Sequence, residues 1–348
     1  MKTEIHLVVM AGGSGTRFWP KSTSRKPKQL LSFGKEDGGD TLLQQTLKRF
    51  DPIVSADHKM IVTTKALEDA VNREAPSAQV LAEPQGRNTA PCIYWAARAI
   101  AEKNPRALML VMPSDHYIAR PDQFIATVRA ACDWALTHDD LVTLGIQPDR
   151  PETGYGYLKI GSKATPAKVD AFVEKPNFER AKEFLASGNY LWNGGMFVWR
   201  AEVILRAFDE LMPEMKAAWE SCGGKVDNAY PKMTATSIDY GIMEKAKNVV
   251  SFPLDCGWDD LGSWTSLEGL ADVLQTRHDA GVVSGGEAIA IDATGNIVDA
   301  PGKVVSLLGV KDLIIVHHGN AILVADKSRA QDIKLIVEQL KKQKPDMI

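Results

Sequence analysis

Short, continuous apolar runs alternate with longer stretches in which apolar positions recur every three or four residues. Residues 5–11, 59–63, 79–82 and 107–112 are of the first kind and predict strands, the last buried on both faces. Leu43, Leu47 and Phe50 predict a helix that Asp40 can cap. Ile93, Ala97 and Ile100 predict a second, capped by Asn88 or Thr89 and ended at Asn104-Pro105. Strands and helices alternating at this spacing predict a Rossmann-like, doubly wound α/β sheet.

From about residue 140 the texture changes. Short strands at 141–144, 156–160, 169–174 and 195–199 are broken by Gly, Pro and Asn, with helices near 179–187 and 202–208. They read as insertions completing a site on the same sheet, which makes the sheet mixed. A helical stretch at 263–276 leads into Arg277-His-Asp-Ala-Gly281, the predicted domain boundary. Residues 281–348 are strand-rich with Gly and Asp turns, and they close with a helix that Ser328-Arg-Ala-Gln331 can cap. The division is therefore 1–280 and 281–348. The apolar faces of the second part predict an assembly element lying outside the active site, hence a homo-oligomer, with a dimer favoured.

A length of 348 residues suits two domains, and 45% hydrophobic content is enough for a large core. With 41 basic against 44 acidic residues the net charge is −3, which argues against a nucleic-acid partner. No apolar run reaches the roughly 18 residues of a membrane span, and no secretory signal is visible, so a cytoplasmic location without a membrane partner is expected. The four cysteines are widely spaced and predict buried thiols.

Candidate chemistry lies mostly at predicted strand ends. Gly12-Gly-Ser-Gly15-Thr16-Arg17 follows the first strand; it suits a backbone nest for phosphates or simply a tight turn. Arg17, Lys21, Arg25, Lys26 and Lys28 come soon after, with no acid among them, which favours a polyanion. Asp115, after the 107–112 strand, suits a metal ligand, a ribose ligand or an Asx-turn. Glu174-Lys175 can meet a hydroxyl and a phosphate or form an exposed ion pair. Asn193 beside two glycines suits sugar hydroxyls or a turn. Asp259-Asp260 between tryptophans suits Mg²⁺ or a polar turn. His116 reads as a local hydrogen-bonding residue. A nicotinamide dehydrogenase would need GxGxxG and a later acid, and the glycine spacing does not match.

Taken in order, Gly12–Pro20, Pro27-Lys28-Gln29, Glu83-Pro84 with Gly86–Pro91, Pro113–His116, Phe172–Pro176 and Asn193–Phe197 resemble the bacterial mannose-1-phosphate guanylyltransferases, within the sugar-nucleotidyltransferases. The resemblance implies GTP and mannose 1-phosphate as substrates, with Arg17 and Lys28 as the catalytic cations. It implies nucleotide contacts from Gly12, Gly13, Gly15, Thr16, Glu83, Gly86, Asn88 and Thr89. Gly156, Glu174, Lys175 and Asn193 would hold the sugar phosphate, and Asp115 and Asp260 a Mg²⁺ cofactor. It further implies a left-handed β-helix-like C-terminal unit, although no hexapeptide repeat is visible. Some members carry an additional phosphomannose isomerase domain; residues 281–348 leave no room for one, so isomerase activity is not expected. A catalytically dead sensor would keep the glycines but lose charge at Lys28, Asp115 or Asp260, and all three charges are present.

Overall fold

The computed structural model describes residues 4–13, 15–33 and 39–348. Its strands begin with β1 (Ile5–Met10), β2 (Lys59–Thr64), β3 (Gln79–Glu83), β4 (Leu108–Pro113), β5 (Tyr117–Ile118) and β6 (Leu141–Ile146). Next come β7 (Tyr157–Ile160), β8 (Ala167–Val173), β9 (Tyr190–Arg200), β10 (Val249–Leu254) and β11 (Trp258–Asp259). Then follow β12 (Arg277–His278), β13 (Gly281–Ile291), β14 (Asn296–Leu308), β15 (Leu313–His318) and β16 (Ala321–Asp326).

The main sheet has the order β3-β2-β1-β4-β9-β6-β10-β8-β7. β1 to β4 run parallel, while β9 enters antiparallel between β4 and β6 and makes the sheet mixed. Both faces are covered, which explains the unbroken apolar runs. Along β1, Leu7 and Val9 pack with helices Leu42–Arg49 and Pro121–Thr137, whereas Val8 packs against helices Thr89–Ala101 and Ala201–Leu211. The period of two thus sends alternate side chains into two cores.

Several local expectations are corrected. Asp40 does not cap the first helix. Thr41 does, accepting from Gln44 N at 3.3 Å while Gln44 Oε1 accepts from Thr41 N at 3.0 Å. Asp40 instead pairs with Lys48 at 2.6 Å, a contact between exposed side chains. Of the predicted helix at 263–276 only Ser266–Gly269 is helical. The Ser328 capping box does not form; Asp326 accepts from Ser328 N at 2.8 Å and starts a 3₁₀ turn before helix Ile333–Gln343. Helix Pro121–Thr137 was not foreseen, although Phe124, Val128, Ala131 and Ala135 form its buried stripe.

β12 to β16 form a second sheet, in which β13, β14 and β15 stack in parallel and β16 returns antiparallel. Parallel stacking of this kind is β-helix-like. The unit is not detached. Phe18, Trp19 and Trp264 share one core with Val282, Ile297, Ile314 and Val337. Trp19 Nε1 donates to the Met347 carbonyl at 3.0 Å, and Lys21 Nζ meets Asp299 Oδ2 at 2.8 Å. Lys21, counted above among the phosphate-facing cations, is therefore tied to a carboxylate whose side chain is 1% exposed.

Removing that cation strands a buried charge. Lys21→Met should lower unfolding stability by about 3 kcal/mol or more, and Lys21→Met with Asp299→Asn should recover part of the loss. Urea unfolding of the three proteins measures this; equal stability of Lys21→Met and the parent would show that the pair ties nothing together.

Candidate active site

The carboxyl ends of the parallel strands β1, β3 and β4 open on one edge, where an open α/β sheet places its ligands. β1 delivers Gly12 and Gly13, β3 delivers Glu83, and β4 leads to Asp115. A cleft of about 480 Å³ there is lined by Gly12, Gly13, Glu83, Gly86, Asn88 and Thr89 on one side. Gly156, Glu174, Lys175 and Asn193 line the other. A second cavity of about 340 Å³ is lined by Gly15, Thr16, Arg17 and Lys28. Asp115, His116 and Asp260 line both. Every nucleotide, sugar-phosphate, metal and catalytic residue that the family resemblance implies therefore borders one of two adjoining cavities, whereas Lys21, Arg25, Lys26 and Asp259 border neither.

Lys28 sits at their junction. It is only 6% exposed, and its Nζ lies 2.9 Å from Asp115 Oδ2 while donating to the Asp260 carbonyl. A polar loop lysine suggests a side chain of no consequence for folding, and this burial corrects that reading. Gly15 explains how the loop passes so close. Its φ is +53°, and any side chain there would run into Lys28. Gln29 Nε2 donates to the Ala11 and Gly13 carbonyls at 2.8 and 3.1 Å, and Ser22 Oγ to the Gly15 carbonyl at 2.7 Å. These bonds hold the loop with its remaining polar groups open to the cavity.

The charges at the junction are tuned by their neighbours. Burial would raise the Asp115 carboxyl, but the Lys28 charge and the hydrogen bonds to it hold it below its ordinary value. Burial pushes His116 down to about 4, so its ring is neutral, and its Nδ1 accepts from Trp258 Nε1 at 3.0 Å. His116 is thus the local hydrogen-bonding residue expected. Asp260 Oδ1 accepts from Tyr155 Oη at 2.8 Å. Asp259 turns away: it is buried, accepts from Leu261 N at 2.7 Å and lies 3.7 Å from Arg150.

On the glycine side, Glu83 is almost fully buried at the cleft wall and accepts a hydrogen bond from Tyr230 Oη. Burial raises its carboxyl to about 7 against that hydrogen bond. Asn88 caps helix Thr89–Ala101, its side chain accepting from Thr89 N at 2.8 Å, and Thr89 Oγ1 accepts from Ile238 N. On the other side Gly156 lets Glu174 come close, since a Cβ there would stand 2.7 Å from Glu174 Oε2. Lys175 pairs with Glu174 at 2.5 Å, and Asn193 Nδ2 donates to Asp239 Oδ1 at 2.7 Å.

Sequence reasoning missed Tyr155, Asp239, Tyr230 and Lys334. Tyr155 stood in plain view between Gly154 and Gly156. Asp239 begins a π-turn and Tyr230 a 3₁₀ turn, neither with a sequence signature. Lys334 lines the second cavity from the C-terminal helix, which corrects the expectation that this unit stays out of the site.

Comparison with known proteins shows the family. The nucleotidyl transferase family model matches residues 6–276, and the MannoseP isomerase/GMP-like beta-helix domain matches 286–340. The mannose-1-phosphate guanylyltransferase of Escherichia coli K12 is 38% identical over 98% of this chain and 74% of its own length. The chain belongs to the mannose-1-phosphate guanylyltransferases. ManC of Salmonella typhimurium, with the same enzyme name, is likewise 38% identical over 98% of this chain and 74% of its own. A crystal structure from Thermus thermophilus, titled a mannose-1-phosphate geranyltransferase, superposes with a TM-score of 0.88 at 33% identity. It covers 98% of this guanylyltransferase and 100% of its own chain.

The buried Glu83 gives the fold a pH dependence. Its carboxyl ionises near 4.5 when unfolded and near 7 when folded, so the folded state holds the extra proton between those values. Stability should fall as pH rises from 4.5 to 7, by roughly 3 kcal/mol relative to Glu83→Gln. Urea midpoints for both proteins across that range check it; parallel curves would show that Glu83 titrates normally.

Proposed function

We propose that the chain transfers the GMP group of GTP to α-D-mannose 1-phosphate, giving GDP-mannose and pyrophosphate. The observation that carries this reading is Lys28, buried against Asp115 and Asp260, which line both cavities. A fixed cation at the meeting point of two cavities suits a reaction between two polyanions.

The nucleophile needs no general base, because the second pKa of a phosphate monoester is about 6. Its oxygen attacks the α-phosphorus in line as pyrophosphate leaves. The barrier is charge repulsion and alignment, and the chain's own residues address both. Backbone groups of Gly12, Gly13, Gly15 and Thr16 receive the phosphates, and Arg17 and Lys28 balance their charge. Gly156, Glu174 and Asn193 hold the sugar, and Lys175 its phosphate. Glu83, Gly86, Asn88 and Thr89 hold the nucleoside. In its ionised form Glu83 offers acceptors to the two adjacent donors of guanine, N1–H and the 2-amino group. Uracil and thymine lack that pair of donors.

Nucleotidyltransferases generally use a divalent metal. Here Asp115 and Asp260 would hold it: both carboxylates line the two cavities, and an all-oxygen donor set suits a hard cation such as Mg²⁺. Mg²⁺ bound there would neutralise phosphate charge and act as a Lewis acid. No helix among the described residues is long and apolar enough to cross a membrane. The reading places the chain in the cytoplasm, where its four free thiols stay reduced, with neither nucleic acid nor membrane as a partner. We further divide the chain at 1–280 and 281–348. The second part would mediate a homodimer, since Ile289, Ile291, Leu308, Ile322 and Val324 on it are exposed.

Pyrophosphate release from GTP and mannose 1-phosphate is the direct test. GTP should exceed UTP and dTTP, and equal turnover of UTP would remove the guanine assignment. Lys28→Ala should cut turnover by roughly 10²- to 10³-fold. Asp260→Asn should raise the Mg²⁺ needed, whereas Asp259→Asn should leave it unchanged; the reverse order would overturn the metal ligands. In light scattering Leu308→Glu with Ile322→Glu should shift a dimer to monomer. Unchanged mass would place the interface elsewhere.

A further inference from the structure

At the opposite end of the main sheet, three side chains converge that the reaction above does not use. The strand period puts Glu4 and His6 on one face at the start of β1. The parallel register pairs Leu7 with Lys59, so His58, just before β2, stands beside His6. The two imidazole rings lie 4.5 Å apart, tilted by 35°. Glu4 Oε1 lies 2.7 Å from His6 Nε2 and 3.7 Å from His58 Nε2, and the three ligand atoms all fall within 4.8 Å of one another.

We propose that Glu4, His6 and His58 bind one transition-metal ion of the zinc class. Bonds of about 2.0 Å in tetrahedral geometry separate ligand atoms by about 3.3 Å. The two carboxylate–imidazole distances bracket that value, so a small swing of Glu4 suffices. The positions are anchored. The Glu4 carbonyl accepts from Leu108 N at 2.9 Å, and His58 N donates to the Ser55 carbonyl at 3.1 Å. Asn104 Nδ2 donates to Glu4 Oε2 at 2.8 Å, which leaves Oε1 for the imidazoles, the outer contact that typically orients a metal-binding carboxylate.

The donor set also selects the ion. Two imidazoles and one carboxylate suit Zn²⁺, Co²⁺, Ni²⁺ or Cu²⁺, and not Mg²⁺, which demands oxygen. Asp57, whose carboxylate lies 3.8 Å from His58 Nε2, adds negative charge, and Lys103 opposes it. A bound ion would clasp the start of β1 to the turn entering β2. The length of β1, roughly 20 Å, separates this clasp from the glycine loop, so its effect falls on stability and not on turnover.

Titration calorimetry with zinc chloride tests the site, using the full chain without a histidine tag and in saturating Mg²⁺. One ion per chain should bind with micromolar or tighter affinity, and cobalt chloride should give the visible bands of a low-symmetry site. His58→Ala should abolish both signals and the zinc-dependent rise in melting temperature, with turnover unchanged. Asn104→Ala should weaken binding roughly tenfold. If His6→Ala fails to fold, the variant at the half-buried His58 still decides. No heat in the parent protein, or equal binding by His58→Ala, would overturn the proposal. So would zinc binding lost in Asp260→Asn and kept in His58→Ala.

Discussion

One buried cation joins three distant stretches of this chain. Lys28 comes from the loop after β1, Asp115 from the end of β4, and Asp260 from the turn after β11, and they meet at a single ammonium group. Burying a lysine is unfavourable unless its charge is paired. The neighbouring carboxylate and carbonyl meet that condition, but only if the loop, the sheet edge and the β11 turn are all in register. The electrostatic demand of the site thereby becomes a structural demand on the fold. In the proposed reaction two phosphate compounds would then meet a cation whose position is already fixed, without spending binding energy on placing it.

The same constraint accounts for the second sheet. A glycine-rich loop is entropically costly to order, because its glycines bring no side chains of their own to anchor it. Its far end is held instead by Phe18 and Trp19 in a core shared with β13 to β15 and the C-terminal helix. Lys21 reaches Asp299 and Trp19 the Met347 carbonyl, so the last residues of the chain brace the first loop. Lys334 adds a further basic side chain to the cavity that this loop borders. The C-terminal unit is therefore coupled to the site whether or not it also joins two copies.

How much of this could be read from sequence depended on range. Strands with continuous apolar runs and the residues at their ends were legible, because burial on two faces and strand-end chemistry are local patterns. Each of the six motifs contributes at least one residue to the lining of the two cavities. What was misread depended on choices between neighbours or on distant partners. Thr41 displaced Asp40 as a cap because the Gln44 side chain could answer it, and Lys48 claimed Asp40. Lys21 looked like a substrate cation because Asp299 is 278 positions away. Glu83 carried no sign of its raised pKa, which arises from burial among residues of other elements. Lys28 was marked as a cation, but its burial depends on Asp115 and Asp260, distant in sequence.

Asp259 and Asp260 show why strand geometry, and not residue type, assigns the chemistry. They are adjacent and identical, and composition cannot rank them. In extended backbone at the end of β11, successive side chains leave on opposite sides. Asp259 is turned inward, where burial and its neighbour's charge push its carboxyl up to about 6 and Leu261 N is its fixed donor. Asp260 faces the cavities, where Tyr155 engages one oxygen and its carbonyl receives Lys28. Exchanging their roles would require shifting the β11–β5 pairing of Trp258 with Ile118 and Asp259 with Tyr117. That slip would also carry Trp258 away from His116, undoing the hydrogen bond that orients the neutral ring beside Asp115. The two-residue ladder is small, yet it selects which acid faces the cavities.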